Sequence, residues 1–314
     1  MFQTFKTLPQ LFAAFPTEQA AVDHFTSIRW ANGKFCPLCG CADEGKIGRM
    51  SKGGELTNQH KCYACRQKFS IRVGTIFQDT KLPLRTWFAA IWMITNHPKG
   101  IASTTLATDL GITQKTAWFV LHRLRHAART DSFNAPLTGI VEVDETFVGG
   151  KISNKHKSVR RKRDALGRQG GKTIVAGAVS RDGGVIARVV TNVEGATLKG
   201  FVRAAVSPDA TMLVTDNWVG YKGLRSEYRH QTVNHSIGQY VKGAAHTNTI
   251  ESVWSLLKRQ IIGVHHWVSP KHLHRYVGEM TYRINRRDMA KGDRVNDLLA
   301  HTEGRRLTYR ILTA

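Results

Sequence analysis

The chain has 314 residues, with 46 Lys plus Arg against 23 Asp plus Glu and a formal net charge of +23. At roughly 100–200 residues per domain this length holds about two domains, and 41% hydrophobic residues can fill a core, which excludes a disordered basic tail. The densest apolar run, residues 87–94, spans eight residues against the about 20 that cross a bilayer, so no membrane span is expected.

The N-terminus carries Lys6 but no long apolar stretch with a small-residue cleavage site, so a secretory signal is not expected and the location reads as cytoplasmic. A charge excess of this size self-repels and is best tolerated beside a polyanion. Nucleic acid is therefore the expected partner class.

Within an N-terminal helical segment (1–33), residues 17–30 read as a short helix. Ala20, Ala21, Phe25 and Ile28 fall near one face of it. Residues 34–75 hold two knuckles, Cys36-Pro-Leu-Cys39 and Cys62-Tyr-Ala-Cys65, with 22 residues between them. Two Cys-x-x-Cys pairs at this separation suit a tetrahedral zinc ion held by Cys36, Cys39, Cys62 and Cys65. The residues between read as strands 46–50 and 56–62 with a Gly53-Gly54 turn, which is a zinc ribbon. Four thiolates leave no open position for chemistry, so the zinc is structural. Cys41 is left over as a free thiol.

Residues 80–130 are helical in pattern. Trp87, Phe88, Ile91 and Trp92 form one apolar face. Leu106, Ala107 and Leu110 begin a second helix that Gly111 stops, and Thr113 can cap a third. Two short helices about Leu110-Gly111-Ile112-Thr113 form a helix-turn-helix arrangement. The outer face of the third helix offers Gln114, Lys115, Thr116, Arg123 and Arg125 to DNA. A plain helical bundle that never touches DNA is the competing reading.

Residues 138–290 read as an α/β domain. Gly139-Ile-Val-Glu-Val-Asp-Glu-Thr146 is a strand ending in acids, and Thr211-Met-Leu-Val-Thr-Asp216 is another. Residues 173–179 and 185–190 form a hairpin about Asp182-Gly183-Gly184. Residues 196–206 are a helix and 231–233 a strand. In the helix that follows, Ile250, Val253, Trp254 and Leu257 make the apolar stripe, and Asn248 or Thr249 can cap it. Three hairpin-type strands followed by α/β alternation is the element order of the ribonuclease-H-like fold. In that fold Asp144 and Asp216 come side by side, and Glu251 joins them from the helix. Three carboxylates on separate elements suit two Mg²⁺ or Mn²⁺ ions acting on a phosphodiester. Lys258, two turns after Glu251 on the same face, can hold a phosphate.

The chain resembles the zinc-ribbon DDE insertion-sequence transposases of bacteria, the ISXO-like group. The resemblance covers nearly its whole length. It rests on the four-cysteine ribbon, Val143-Asp-Glu-Thr-Phe-Val-Gly-Gly-Lys151, Thr215-Asp-Asn-Trp218 and His246-Thr-Asn-Thr-Ile-Glu-Ser-Val-Trp-Ser-Leu-Leu-Lys258. By that resemblance Asp144, Asp216 and Glu251 are the catalytic, metal-binding triad and Lys258 an accessory cation. Some relatives place an Asn in the third position, where Asn248 would stand, but a carboxylate binds Mg²⁺ better than an amide does. Glu142 and Glu145 flank Asp144 and could support the ligands. The implied activity is metal-dependent cleavage at element ends and transfer of the 3′-hydroxyl into target DNA. The implied partners are terminal inverted repeats, target DNA and at least one further copy of the chain, near the nucleoid.

A basic insert, residues 151–172, holds nine Lys or Arg and one acid. Arg160, Arg161, Lys162 and Arg163 at its centre are expected to contact phosphates, as is Arg259. Residues 291–314 read as a tail. Two other readings keep parts of this pattern. One is a non-catalytic zinc-ribbon DNA-binding regulator, and the other a ribonuclease-H-like nuclease or resolvase.

Overall fold

The computed structural model describes residues 3–129, 135–150, 156–158, 172–239 and 241–314. The chain divides into two compact units, Met1–Ala128 with Asp288–Ala314, and Arg129–Arg287.

In the first unit, α1 (Leu8–Ala14) and α2 (Glu18–Arg29) each begin at a threonine. The hydroxyls of Thr7 and Thr17 accept from Gln10 N and Ala20 N, which satisfies a donor that a helix start leaves open. The ribbon follows as β1 (Ile47–Lys52), β2 (Glu55–Cys62) and β3 (Lys68–Ser70), antiparallel in that order. The third strand was not anticipated, because three residues are too few to show alternation. Next, α3 (Leu84–Asn96) is buried on every side from Trp87 to Thr95, as an all-round apolar helix must be. α4 (Ser103–Leu110) and α5 (Gln114–Ala128) follow.

Residues 291–314 are not a tail. They form the helices Lys291–Ala300 and Tyr309–Thr313 and belong to this unit. The first buries Val295, Leu298 and Leu299. It crosses the N-terminal segment so closely that a Cβ at Gly292 would lie 2.7 Å from the Phe5 carbonyl oxygen. His24 Nε2 and Asn296 Oδ1 meet at 2.9 Å, and Arg29 Nε donates to Glu303 at 2.6 Å.

The second unit is a five-stranded sheet covered on both faces. Its strands are β4 (Ile140–Val148), β5 (Thr173–Ser180), β6 (Val185–Val190), β7 (Met212–Asp216) and β8 (His230–Val233). The spatial order is β6-β5-β4-β7-β8. The first three strands pair antiparallel, and β7 and β8 run parallel to β4. This mixed sheet is the one expected from the element order. α6 (Gly195–Ala205) covers one face, where Val143, Ala176, Ala178 and Leu213 pack with Leu198 and Val202. α7 (Asn248–Gln260) and α8 (Pro270–Asn285) cover the other, where Val175 and Val179 meet Ile250, Trp254, Leu257, Leu273 and Val277. Alternate residues of β5 thus serve opposite layers, as strand geometry requires. No helix among the described residues is long and apolar enough to cross a membrane.

Candidate active site

β4 and β7 pair rung by rung from Ile140↔Met212 to Val143↔Thr215. Asp144 and Asp216 are the next residues of the two parallel strands. They therefore stand abreast at the strand ends, on the face that α7 covers. Burial, and after it the Asp216 charge, pushes the Asp144 carboxyl up to about 6, with a smaller push from Glu251. Burial also raises Asp216, against the opposing effect of the Trp218 N–H, which donates to its Oδ1 at 3.1 Å. On the opposite face of β4, burial pushes Glu145 up to about 7, although the Tyr221 hydroxyl donates to it at 2.7 Å. Half-buried, mutually repelling acids resist ionisation, and a divalent cation placed between them removes that penalty. This donor set of hard oxygens fits Mg²⁺ or Mn²⁺.

Glu251 lies in the first turn of α7, with its side chain 49% exposed. Thr247 Oγ1 donates to it at 3.2 Å and His235 Nδ1 stands 3.9 Å away. It is close enough to Asp144 to raise that carboxyl, but it does not close into a tight triad. Among the described residues, only the four cysteines gather three or more metal-ligating atoms within 4.8 Å. Asn248 is exposed at the first position of α7. Lys258 and Arg259 are exposed at its last turn, and Arg259 bonds back to Ser255.

Two contacts fix α7 on the strand that carries Asp144. The first is Glu142, fully buried on β4. Its carboxylate accepts from Thr249 N at 2.8 Å, Thr249 Oγ1 at 2.9 Å, Ile250 N at 3.1 Å and Arg181 Nε at 2.9 Å. His246 Nδ1 lies 3.1 Å from the same group. The local cap, Thr247, makes no side-chain capping bond. A carboxylate from a neighbouring strand therefore satisfies the open N–H groups and sits at the positive end of the helix dipole. Neither Asn248 nor Thr249 is the cap expected from the sequence. Glu142 was legible there only as a neighbour of Asp144.

The second contact is Trp254, whose Nε1 donates to Asp144 Oδ2 at 2.9 Å. The indole reaches Asp144 because residue 177, paired opposite it on β5, is glycine. A Cβ there would lie 2.4 Å from the Trp254 ring.

In the first unit the four ribbon thiols converge. Cys36 and Cys65 sulfurs are 3.9 Å apart and Cys39 and Cys62 sulfurs 3.8 Å apart. Tetrahedral zinc with Zn–S bonds of about 2.3 Å places its sulfurs about 3.8 Å apart, so the set fits structural zinc. Each knuckle turns at a left-handed residue directly after its second cysteine, Gly40 (φ 75°) and Arg66 (φ 61°). Cys41 stands outside the four, and its carbonyl accepts from Cys36 N at 2.8 Å.

The turn between α4 and α5 is built as its residues dictate. Gly111 is left-handed (φ 62°), and Ile112 N bonds to Ala107 O at 3.0 Å. Thr113 Oγ1 accepts from Thr116 N at 3.2 Å. Gln114 and Lys115 are exposed and Thr116 half-buried at the start of α5. Arg123 and Arg125 are a correction: both are buried, at 5% and 1% exposure, and neither is on an outer face. Arg123 donates to the carbonyls of Leu307 at 3.1 Å and Ile76 at 2.9 Å, so it holds the C-terminal segment. Charge suggested an outer face, whereas both residues are buried, and the Leu307 and Ile76 carbonyls give Arg123 its site. Arg160, Arg161, Lys162 and Arg163 lie outside the described residues.

Comparison with known proteins adds family evidence. Residues 136–285 match the model described as an ISXO2-like transposase domain, and residues 16–68 match the transposase zinc-ribbon domain. A protein of transposable element ISH50 from Halobacterium salinarum is 26% identical over 265 residues, 82% of this chain and 85% of that protein. A transposase-like protein of Haemophilus influenzae is 32% identical over 98 residues, 31% of this chain and 77% of that protein. No solved structure matches. A transposase domain together with a transposase zinc ribbon points to DNA as the partner. The chain belongs to the zinc-ribbon, ISXO2-like family of insertion-sequence transposases.

Proposed function

We propose that this protein is a DDE transposase that cuts DNA at the ends of its element and joins the 3′-hydroxyl to target DNA. The observation that carries the proposal is Asp144 abreast of Asp216 at the ends of two parallel strands, below a helix that brings Glu251 over the same face. Asp144, Asp216 and Glu251 would hold Mg²⁺ or Mn²⁺, which when bound activates the attacking oxygen and stabilises the leaving one. Asn248 is the other candidate for the third position.

The chain's own residues supply the rest. Trp254 fixes the Asp144 carboxylate through its N–H, and the Trp218 amide fixes Asp216. Glu142 sets the position of α7 and so of Glu251. Lys258 and Arg259 would carry positive charge along the same helix toward the DNA backbone, and the centre of the basic insert, Arg160 to Arg163, would add phosphate contacts. Gln114, Lys115 and Thr116 would meet element-end DNA. Two element ends must be joined to one target, so the working form on DNA is at least a dimer.

The test is a strand-transfer assay on a duplex carrying the element end, with Mg²⁺, comparing the native chain with Asp216→Asn. Loss of at least 100-fold in both cleavage and joining is expected. Full activity in Asp216→Asn overturns the proposal, and cleavage without joining by the native chain would instead mark a nuclease.

A further inference from the structure

Beyond Asp144, β4 runs on into the wall of a 470 Å³ cavity on the α7 side of the sheet. Val148, Ile261 and Leu273 form its apolar floor, and Lys258, Ile262 and Trp267 stand around it. Its size falls within the range of small-molecule sites. Three large apolar side chains of its lining are exposed, Ile262 at 68%, Trp267 at 66% and Phe147 at 38%.

The backbone that carries them is irregular. After Gln260 the helix widens into a π-turn, Ile261–His265, and His266 then takes a left-handed φ of 58°. Both features cost conformational energy and concentrate at functional sites. Lys258 is exposed, with no carboxylate partner among the described residues. Apolar floor, open indole and an exposed lysine thus meet at one place.

The cavity lies a measurable distance from the acids. Val148 is four residues past Asp144, about 13 Å along a strand. Lys258 is seven residues past Glu251, about 10 Å along a helix. At about 3.4 Å per nucleotide, that reach covers about four nucleotides from the reacting phosphate. An indole presents a stacking surface that any base can use, and an ammonium pairs with its phosphate. A paired base cannot enter such a slot without leaving the stack.

We propose that this cavity receives one unstacked nucleotide of the element end, with its base on Trp267 and the apolar floor and its phosphate toward Lys258. The proposal rests on the transposase reading above.

The experiment uses the full zinc-loaded chain and an element-end duplex with 2-aminopurine at each of the four positions beside the scissile phosphate in turn. Binding in Ca²⁺ is followed by fluorescence, and cleavage in Mg²⁺ is measured separately. One position should respond in the native chain and in Trp267→Phe, and the response should fall at least 5-fold in Trp267→Ala. Cleavage by Trp267→Ala should drop about 10-fold to 100-fold. A mismatch opposite the responding nucleotide lowers the cost of unstacking and should narrow that gap to under 3-fold. Trp267 is exposed, so unchanged melting of both variants is expected and separates this effect from misfolding. Cleavage by the native chain with no 2-aminopurine response at any position overturns the inference alone. Equal cleavage by Trp267→Ala and the native chain does the same. Absence of Mg²⁺-dependent cleavage by the native chain overturns the transposase reading and this inference with it.

Discussion

Glu142 caps the helix of Thr249 from another element: its buried carboxylate accepts both the amide and the hydroxyl of Thr249, at 2.8 and 2.9 Å. The same group pairs with Arg181. Removing it strands two helix N–H groups and a partly covered guanidinium. Glu142→Ala should therefore cost about 3 kcal/mol, the range for breaking a buried pair together with a cap. Chemical denaturation followed by circular dichroism measures it. A loss under about 1 kcal/mol would mean that α7 holds its place without Glu142.

Gly177 gives a second handle on the same helix. A methyl group there would fall 2.4 Å from the Trp254 ring. Gly177→Ala should displace the indole, cost about 1–3 kcal/mol as overpacking does, and shift tryptophan emission to the red. Cleavage should fall with it, since Trp254 no longer aims the Asp144 carboxylate. An unchanged emission spectrum would show that the ring never lay across residue 177.

The acids predict a pH effect with a definite sign. Asp144, pushed up to about 6 chiefly by burial, binds its proton more tightly in the folded, metal-free protein than in the unfolded chain. It therefore opposes folding above about pH 6, and that opposition disappears as pH falls toward the ordinary value of an aspartate. Asp144→Asn should make the metal-free protein more stable at pH 7, by about 1–3 kcal/mol, with the advantage gone by about pH 4. Mg²⁺ should stabilise the native chain and not the variant. Parallel pH-dependent stability curves for the two proteins would refute this.

The strands of the second unit were legible because β-branched runs between glycine turns allow little else. The zinc ligands were legible because two Cys-x-x-Cys pairs admit few alternatives. Contacts between distant segments were not legible. Periodicity assigns Glu142 a face but not the helix end it will meet, 107 residues away in sequence. Nor does a short apolar stripe such as Val295–Leu298–Leu299 say which unit it joins. Arg123 shows the complementary failure. Its charge pointed outward, yet two backbone carbonyls, Leu307 and Ile76, give it a buried site.

Zinc should be needed for the ribbon to fold, because its small core is Cys36, Ile47, Cys62 and Phe69. We expect one zinc per chain in the native protein and in Cys41→Ser, and none in Cys62→Ser. Chelation should abolish the protected amides of residues 47–70 in hydrogen exchange while those of the second unit persist. Arg66 occupies a left-handed turn that favours glycine, so Arg66→Gly should raise stability by up to about 1 kcal/mol in the zinc-loaded form. Retention of zinc by Cys62→Ser would overturn the ligand assignment.

The last prediction separates the two kinds of arginine and lysine on α5. Lys115 is exposed at the start of the helix, its ammonium 5.1 Å from the Tyr309 ring centre, whereas Arg123 is buried and bonded to two carbonyls. If α5 faces DNA, Lys115→Ala should leave melting unchanged and reduce the slope of log affinity against log salt by about 1, one phosphate contact. Arg123→Met should do the reverse. It should lower stability by about 2–4 kcal/mol, because two buried carbonyls lose their donor, and leave the salt slope of the folded fraction as it was. Measuring both quantities for both variants decides the matter. A salt slope that moves with Arg123 and not with Lys115 would put the DNA on the other side of this helix.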